Sequence, residues 1–470
     1  MIKKLDKIDF ISIVLISFSI FFWDIQYNFE IPNFQIGLRF IYLINFLIII
    51  FYLKKYLFDQ KLISIKFIFY SFLFSLIIYV HYSINLKIIY SNKIFFTSLI
   101  LFLTILIIKA YHKILLENKI PILKTIIVLS VASYFLSILG FYIFDESFKN
   151  FGFADLMFFV LKPCTEGFYN RFNFIYSESS HFGMISISIY MTTYYYLVKE
   201  NFKDKTLLVL FIFFFFIILN NMSLTLIMGI FTSQIAILIV CFKKKFLKYI
   251  IFSLLMALIF VIILVKNENC RYKLNNAIWL TSQPINFTLS ELLGKKIDIR
   301  LELDPEPKDE APKLEVSKLQ TQVGEVNIRL GKTTDLSSAV LIHNLKIAYH
   351  SIFDKPFGWG MNNYYSAFKF YSTTKQLVVH HEYALNVNKE DGSQNLAKIT
   401  TEFGIFSFIL WALYLVFMFS KKVDLSNKIF LFPIIFTQLF LRGAGYFNGG
   451  FLVATIIICI LLFNKNANSN

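Results

Sequence analysis

Glu178 and His181 stand three residues apart in the run Arg171-Phe-Asn-Phe-Ile-Tyr-Ser-Glu-Ser-Ser-His-Phe-Gly183. On a helix the two share one face, and a carboxylate beside an imidazole orients the ring and favours its protonated form, a pair able to give or take a proton. The same run also reads as a capping cluster, with Ser177 or Ser179 at a helix start and the histidine satisfying a neighbouring helix; spacing alone leaves both readings standing. A second chemistry comes from the six arginines, Arg39, Arg171, Arg271, Arg300, Arg329 and Arg442. The planar guanidinium fork grips phosphate oxygens in pairs, whereas lysine offers a point charge. Contacts to lipid headgroups or loop carboxylates are the competing explanation for each arginine.

The elements that must position these groups are membrane spans. The 470-residue chain is 57% hydrophobic with mean hydropathy +0.63, too apolar for a water-soluble core. Apolar runs of spanning length fall at about 10–24, 36–53, 64–80, 94–109, 122–144, 179–198, 206–220, 223–242, 247–265, 402–420, 429–441 and 449–463. Lysines crowd alternate connections, from Lys3, Lys4 and Lys7 through Lys109, Lys113 and Lys119 to Lys421, Lys422 and Lys428, which places both termini in the cytoplasm. All six arginines then fall on the opposite side. The formal charge of +16 is accounted for by this topology signal and does not point to nucleic acid. Trp23 and Asp24 stand where a signal peptide would carry small residues, so the first span reads as an uncleaved anchor.

The long polar run 267–400 divides the chain into a membrane part (1–266), a loop domain (267–400) and a second membrane part (401–470). Alternating residues at 296–303 and 325–330, around an acidic proline-containing turn at 304–312, predict a small β element. Residues 337–353 predict an amphipathic helix with Leu341, Leu345, Ala348 and Ile352 on its apolar face and with His343 and His350 as surface histidines. The two histidines lie two turns, about 10 Å, apart, too far to share a metal. Cys164 and Cys270 fall on the same side as the loop, either as free thiols or as a disulfide. No spacing suggests a metal or cofactor.

Three further patterns frame the loop and its return. Lys355-Pro-Phe-Gly-Trp-Gly360 ends the helix, Ser393-Gln-Asn-Leu-Ala-Lys-Ile-Thr-Thr-Glu-Phe-Gly404 leads into the tenth span, and Leu441-Arg-Gly-Ala-Gly-Tyr446 follows the eleventh. Together with Arg171, Tyr176, Glu178, Ser180 and His181, these patterns resemble those of bacterial O-antigen and surface polysaccharide polymerases, within the O-antigen polymerase and ligase superfamily. Ser179 stands where proline is commoner. Gln394-Asn395 stands where a ligase would carry His-Asn, which favours polymerase over ligase. The arginine expected early in the loop helix is missing, and Arg329 or His343 is left to take its place.

The resemblance implies an all-α polytopic protein of the bacterial inner membrane with about 12 transmembrane helices and one large periplasmic loop. It implies a glycosyltransferase that joins polyprenyl-pyrophosphate-linked repeat units without a cofactor, with a chain-length regulator as an expected partner beside membrane lipid. Arg171 and Arg442, with one of Arg271, Arg300 or Arg329, would hold the pyrophosphate. His181 or a loop histidine such as His343 would act as base, with Glu178 orienting it. An O-antigen ligase is the nearest alternative. A flippase or transporter, the alternative from another class, would carry paired charges within its spans and interrupted helices.

Overall fold

The computed structural model describes residues 7–21, 26–31, 34–39, 64–86, 92–144, 179–221, 224–240, 336–375, 388–443, 445–446 and 450–463, with a few isolated positions besides. Arg171, Glu178, Arg271, Arg300 and Arg329 lie outside these residues. So do Cys164, Cys270, the β element expected at 296–330 and nearly all of the ninth span.

The chain begins with α1 (Lys7–Phe21), then strands β1 (Gln26–Ile31) and β2 (Phe34–Arg39). Helices follow as α2 (Ile65–Leu86), α3 (Asn92–Glu117), α4 (Lys119–Phe144), α5 (Ser179–Lys199), α6 (Lys205–Asn221) and α7 (Leu224–Val240). The later part supplies α8 (Leu336–Asp354), α9 (Tyr364–Lys369), α10 (Asn395–Phe403), α11 (Ser407–Phe419), α12 (Leu425–Phe440) and α13 (Phe451–Phe463). Four stretches are long and apolar enough to cross a membrane: Ile65–Asn85, Ile94–Glu117, Lys119–Ser137 and Asn395–Phe419.

The hairpin corrects the start of the expected second span, whose remainder lies almost wholly outside the described residues. Gln26 pairs with Arg39 and Ile31 with Phe34 in antiparallel register, so the start of the 36–53 run is strand. Phe34, Ile36 and Leu38 alternate with Gln35, Gly37 and Arg39, a period of two that an average hydropathy over the run hides. Pro32-Asn33, between the strands, are turn-forming residue types.

Helix α5 packs against α4, α6, α7 and α12. It buries Tyr190 and Tyr194 together with Ser186, Ser188, Thr192 and Thr193, and Ser188 Oγ donates to the Phe430 carbonyl of α12. By contrast, α2 leaves Phe69, Phe72, Leu76 and Val80 exposed. Hydroxyls facing protein and large apolar groups facing outward are what a lipid environment selects, because lipid gives no hydrophobic gain to burying leucine.

The two ends of the bundle are held by different contacts. At one end Lys119 Nζ donates to Ser426 Oγ at 3.3 Å, and Lys124 pairs with Asp204 at 2.7 Å. Asp204 also caps α6, accepting the Leu207 N–H at 3.0 Å. Partial burial alone would raise the Asp204 carboxyl, but the Lys124 ammonium and the cap N–H bonds outweigh it and hold the group below its ordinary range. Lys428 Nζ, buried at this same end, donates to the carbonyls of Met418 and Ser420, each at 2.7 Å, and so closes the C-terminus of α11. The opposite end gathers the close of α2, the turn after α8, the start of α10 and the close of α12.

Candidate functional site: the start of α10

The last six residues of the expected loop and the tenth span form one interrupted helix. α10 ends at Phe403, a short 3₁₀ turn covers Gly404–Phe406, and α11 resumes at Ser407. Gly404 has φ +55°, and a Cβ there would collide with the Pro356 carbonyl oxygen, so only glycine allows the turn after α8 to lie against the break. The two backbones are then laced together: Trp359 N–H to Thr401 O at 3.0 Å, Gly360 N–H to Glu402 O at 2.9 Å and Ile405 N–H to Pro356 O at 2.8 Å. From α2, His81 Nε2 lies 2.7 Å from the Phe357 carbonyl, which only accepts, so that nitrogen carries the proton. The His81 ring also stacks on Phe403.

Glu402, fully buried, is the hub of this junction. One carboxylate oxygen accepts the Asn362 N–H at 2.7 Å and the Tyr446 hydroxyl at 2.6 Å. The other accepts the Tyr364 N–H at 2.9 Å and lies 3.3 Å from the Lys398 ammonium. Each oxygen thus carries two donors, which fills the acceptor capacity of a carboxylate. Lys398 also donates to the Glu390 carbonyl at 2.6 Å and sits over the rings of Tyr364 and Tyr446. Burial, followed by the Asp391 and Glu402 charges, pushes the Tyr364 phenol well above its ordinary range. Burial and the charge of Glu402 do the same to Tyr446. Both phenols stay protonated donors. Glu402 is a clamp joining three segments.

A group that is not saturated lies about two turns away, at the N-terminus of α10. Gln394 stands at the N-cap position, and its side chain makes no capping hydrogen bond. The side chains of Gln394 and Asn395 are buried, yet Gln394 Nε2 and both polar atoms of Asn395 have no hydrogen-bond partner among the described residues. The close of α12 is brought against them: Gly443 N–H donates to Ser393 O at 2.8 Å, and Arg442 Nη1 lies 3.4 Å from Ser393 Oγ. A Cβ at position 443 would stand 2.6 Å from the Asn395 nitrogen, so glycine is needed for this approach. Guanidinium, two buried amides, a hydroxyl and the N-terminal end of a helix form the kind of donor set that an anion requires.

The remaining expected site residues take different places. His343 is buried, against the expectation of a surface histidine, with Nε2 3.1 Å from Ser372 Oγ and its ring edge-on to Phe368. Its neighbour Asn344 accepts the Tyr364 hydroxyl at 2.7 Å. His181 lies in the first turn of α5, half-buried. Both α8, which carries His343, and α12, which leads to Arg442, pack on α10. Lys398, Tyr364, Tyr446 and His81 were missed as partners in the sequence. The i, i+4 spacing of Lys398 and Glu402 was the available signal. The break at Gly404 is a single interruption at the start of the tenth span, and the buried Lys398–Glu402 pair lies at the entry of that span rather than deep within it.

Among known protein families, curated proteins and solved structures, none matches this chain.

Proposed function

We propose that this chain is a membrane glycosyltransferase that polymerises polyprenyl-pyrophosphate-linked repeat units, with the leaving pyrophosphate held at the start of α10. The observation that carries the reading is the juxtaposition of Arg442 and Ser393 with the buried, unsatisfied amides of Gln394 and Asn395. Transfer forms a bond from an acceptor sugar hydroxyl to the donor's anomeric carbon and breaks that carbon's bond to the pyrophosphate oxygen. Charge develops on the departing pyrophosphate, and donors already set around it are the larger catalytic contribution. The acceptor proton needs a base. His181, half-buried at a helix start, is better placed for that than His343, which is enclosed against Ser372 and Phe368. Arg171 and Glu178, in the run preceding α5, belong to the same proposed machinery, with a loop arginine closing over the phosphates.

The interrupted helix and buried ion pair are features that transporters share. Here the carboxylate of the pair has every acceptor position filled, which favours a structural clamp over a substrate or ion site. The test is a deletion strain examined by its surface polysaccharide ladder. Loss of a polymerase leaves lipid core bearing a single repeat. Naked core with polymer retained on its lipid carrier would instead identify a ligase, and loss of every repeat from the outer face would identify a flippase.

A further inference from the structure

Helix α8 carries apolar residues on two sides. Its protein-facing side buries Ala339, Val340, Ile342, Ile347 and Ala348 together with the polar His343, Asn344 and Ser351. Its outward stripe, at intervals of four, is Leu341, Leu345, Tyr349 and Phe353; Tyr349 is 56% and Phe353 68% exposed. Of the apolar face expected from the sequence, Ala348 is buried, Leu341 and Ile352 are half-buried and Leu345 is exposed. A helix in water turns its apolar stripe toward protein. One with polar groups toward protein and aromatics outward has lipid on its outer side.

We propose that α8 lies in the membrane interface, with this outward stripe set into the boundary between headgroups and acyl chains. Further exposed apolar residues lie beyond the helix end. Phe353 is followed by exposed Phe357, whose ring lies 6.0 Å from that of Phe406, and Phe406 adjoins Phe408 and Ile409 on the outer face of the spanning segment Asn395–Phe419. Ile409, at 69% exposure, sits on a segment long and apolar enough to cross a membrane. The flanking polar groups suit this depth. Tyr349 offers a hydroxyl at the end of an apolar ring, and the exposed Lys369 and Lys375 can extend to phosphate headgroups. Lys355, at the helix end, lies 4.0 Å from the Trp359 ring centroid, a tryptophan–lysine pairing suited to the headgroup region. The side chains of His343, Asn344 and Ser351 face the π turn Phe370–Thr374, Tyr364 of α9 and Thr401 of α10, and fix which side of the helix turns to protein. The occupant is the bilayer itself, and the inference does not depend on the reaction catalysed.

The experiment is site-directed spin labelling of the full chain in lipid nanodiscs, with the four native cysteines replaced by serine. Nitroxides are placed singly by Leu345→Cys, Tyr349→Cys and Phe353→Cys, with Ile409→Cys as the lipid reference and Lys389→Cys as the aqueous one. Collision with oxygen should exceed collision with a water-soluble nickel chelate at all three α8 positions, as at Ile409. Nickel collision matching Lys389 would place the stripe in water and overturn the proposal. Low collision with both reagents would mean that a protein segment covers it, and would overturn the proposal equally. Tyr349→Trp, an aromatic exchange in otherwise unaltered protein, gives an independent reading: lipids brominated high on the acyl chain should quench the added fluorescence, and unquenched emission would contradict the inference.

Discussion

Arg442 is the residue on which the proposed chemistry turns, and its geometry separates it from a lysine. A guanidinium can hold the Ser393 hydroxyl and still present further N–H donors to an oxyanion in one plane. Arg442→Lys is therefore expected to stop chain extension while leaving protein level unchanged, as read from the polysaccharide ladder and a blot of the same cells. Glu402 predicts the opposite division. Glu402→Gln replaces an acceptor by a donor facing N–H and O–H groups and leaves Lys398 buried without its counter-charge, a loss on the order of 3–5 kcal/mol, visible as a lower melting temperature in detergent. The phenols around Glu402 set a pH limit. Tyr364 and Tyr446 titrate above the ordinary tyrosine value of about 10 when folded, so their contribution to stability is complete below that pH and is lost as pH rises through the folded values. Thermal unfolding scans should show no tyrosine-linked change between neutrality and about pH 9, then a decline above about pH 10.

At the scale of elements, the break between α10 and α11 is what brings distant segments together. It places the turn after α8, the start of a span and the close of α12 within hydrogen-bonding reach of one another. Gly404→Ala should disrupt this junction, since the new Cβ meets the Pro356 carbonyl and the φ of +55° is unfavourable for alanine; a cost of roughly 1–3 kcal/mol or more is expected in thermal unfolding. Hydropathy in the sequence revealed most described helices, because runs such as 179–198 and 449–463 are unbroken. It hid the β1–β2 hairpin, whose second strand begins an apolar run and differs from a span only in its alternation. The apolar stripe of α8 was visible too, but the direction it faces depends on whether the medium outside is water or lipid, which the residues of that helix do not state. Arg442, Glu402 and the Gln394–Asn395 pair could be picked out from their local patterns. Their convergence could not, because it arises from glycines at 404 and 443 that let separate backbones touch.

Across the whole molecule, the described contacts divide the loops into two sets. Lys119, Lys124, Asp204 and Ser426 meet at one end, while His81, Phe357, Ser393 and Arg442 mark the other. The lysine alternation assigns the first set to the cytoplasm. An impermeant thiol reagent applied to intact cells should then modify Lys389→Cys and spare Lys203→Cys, and the reverse pattern would turn the topology over. The central claim is that a pyrophosphate is held where α12 meets the start of α10. Binding of polyprenyl pyrophosphate to the purified full chain in nanodiscs tests it most directly. Arg442→Lys should weaken that binding by roughly tenfold or more, about 1.4 kcal/mol, with the fold retained. Affinity equal to that of the unaltered protein in both Arg442→Lys and Arg442→Ala would contradict it.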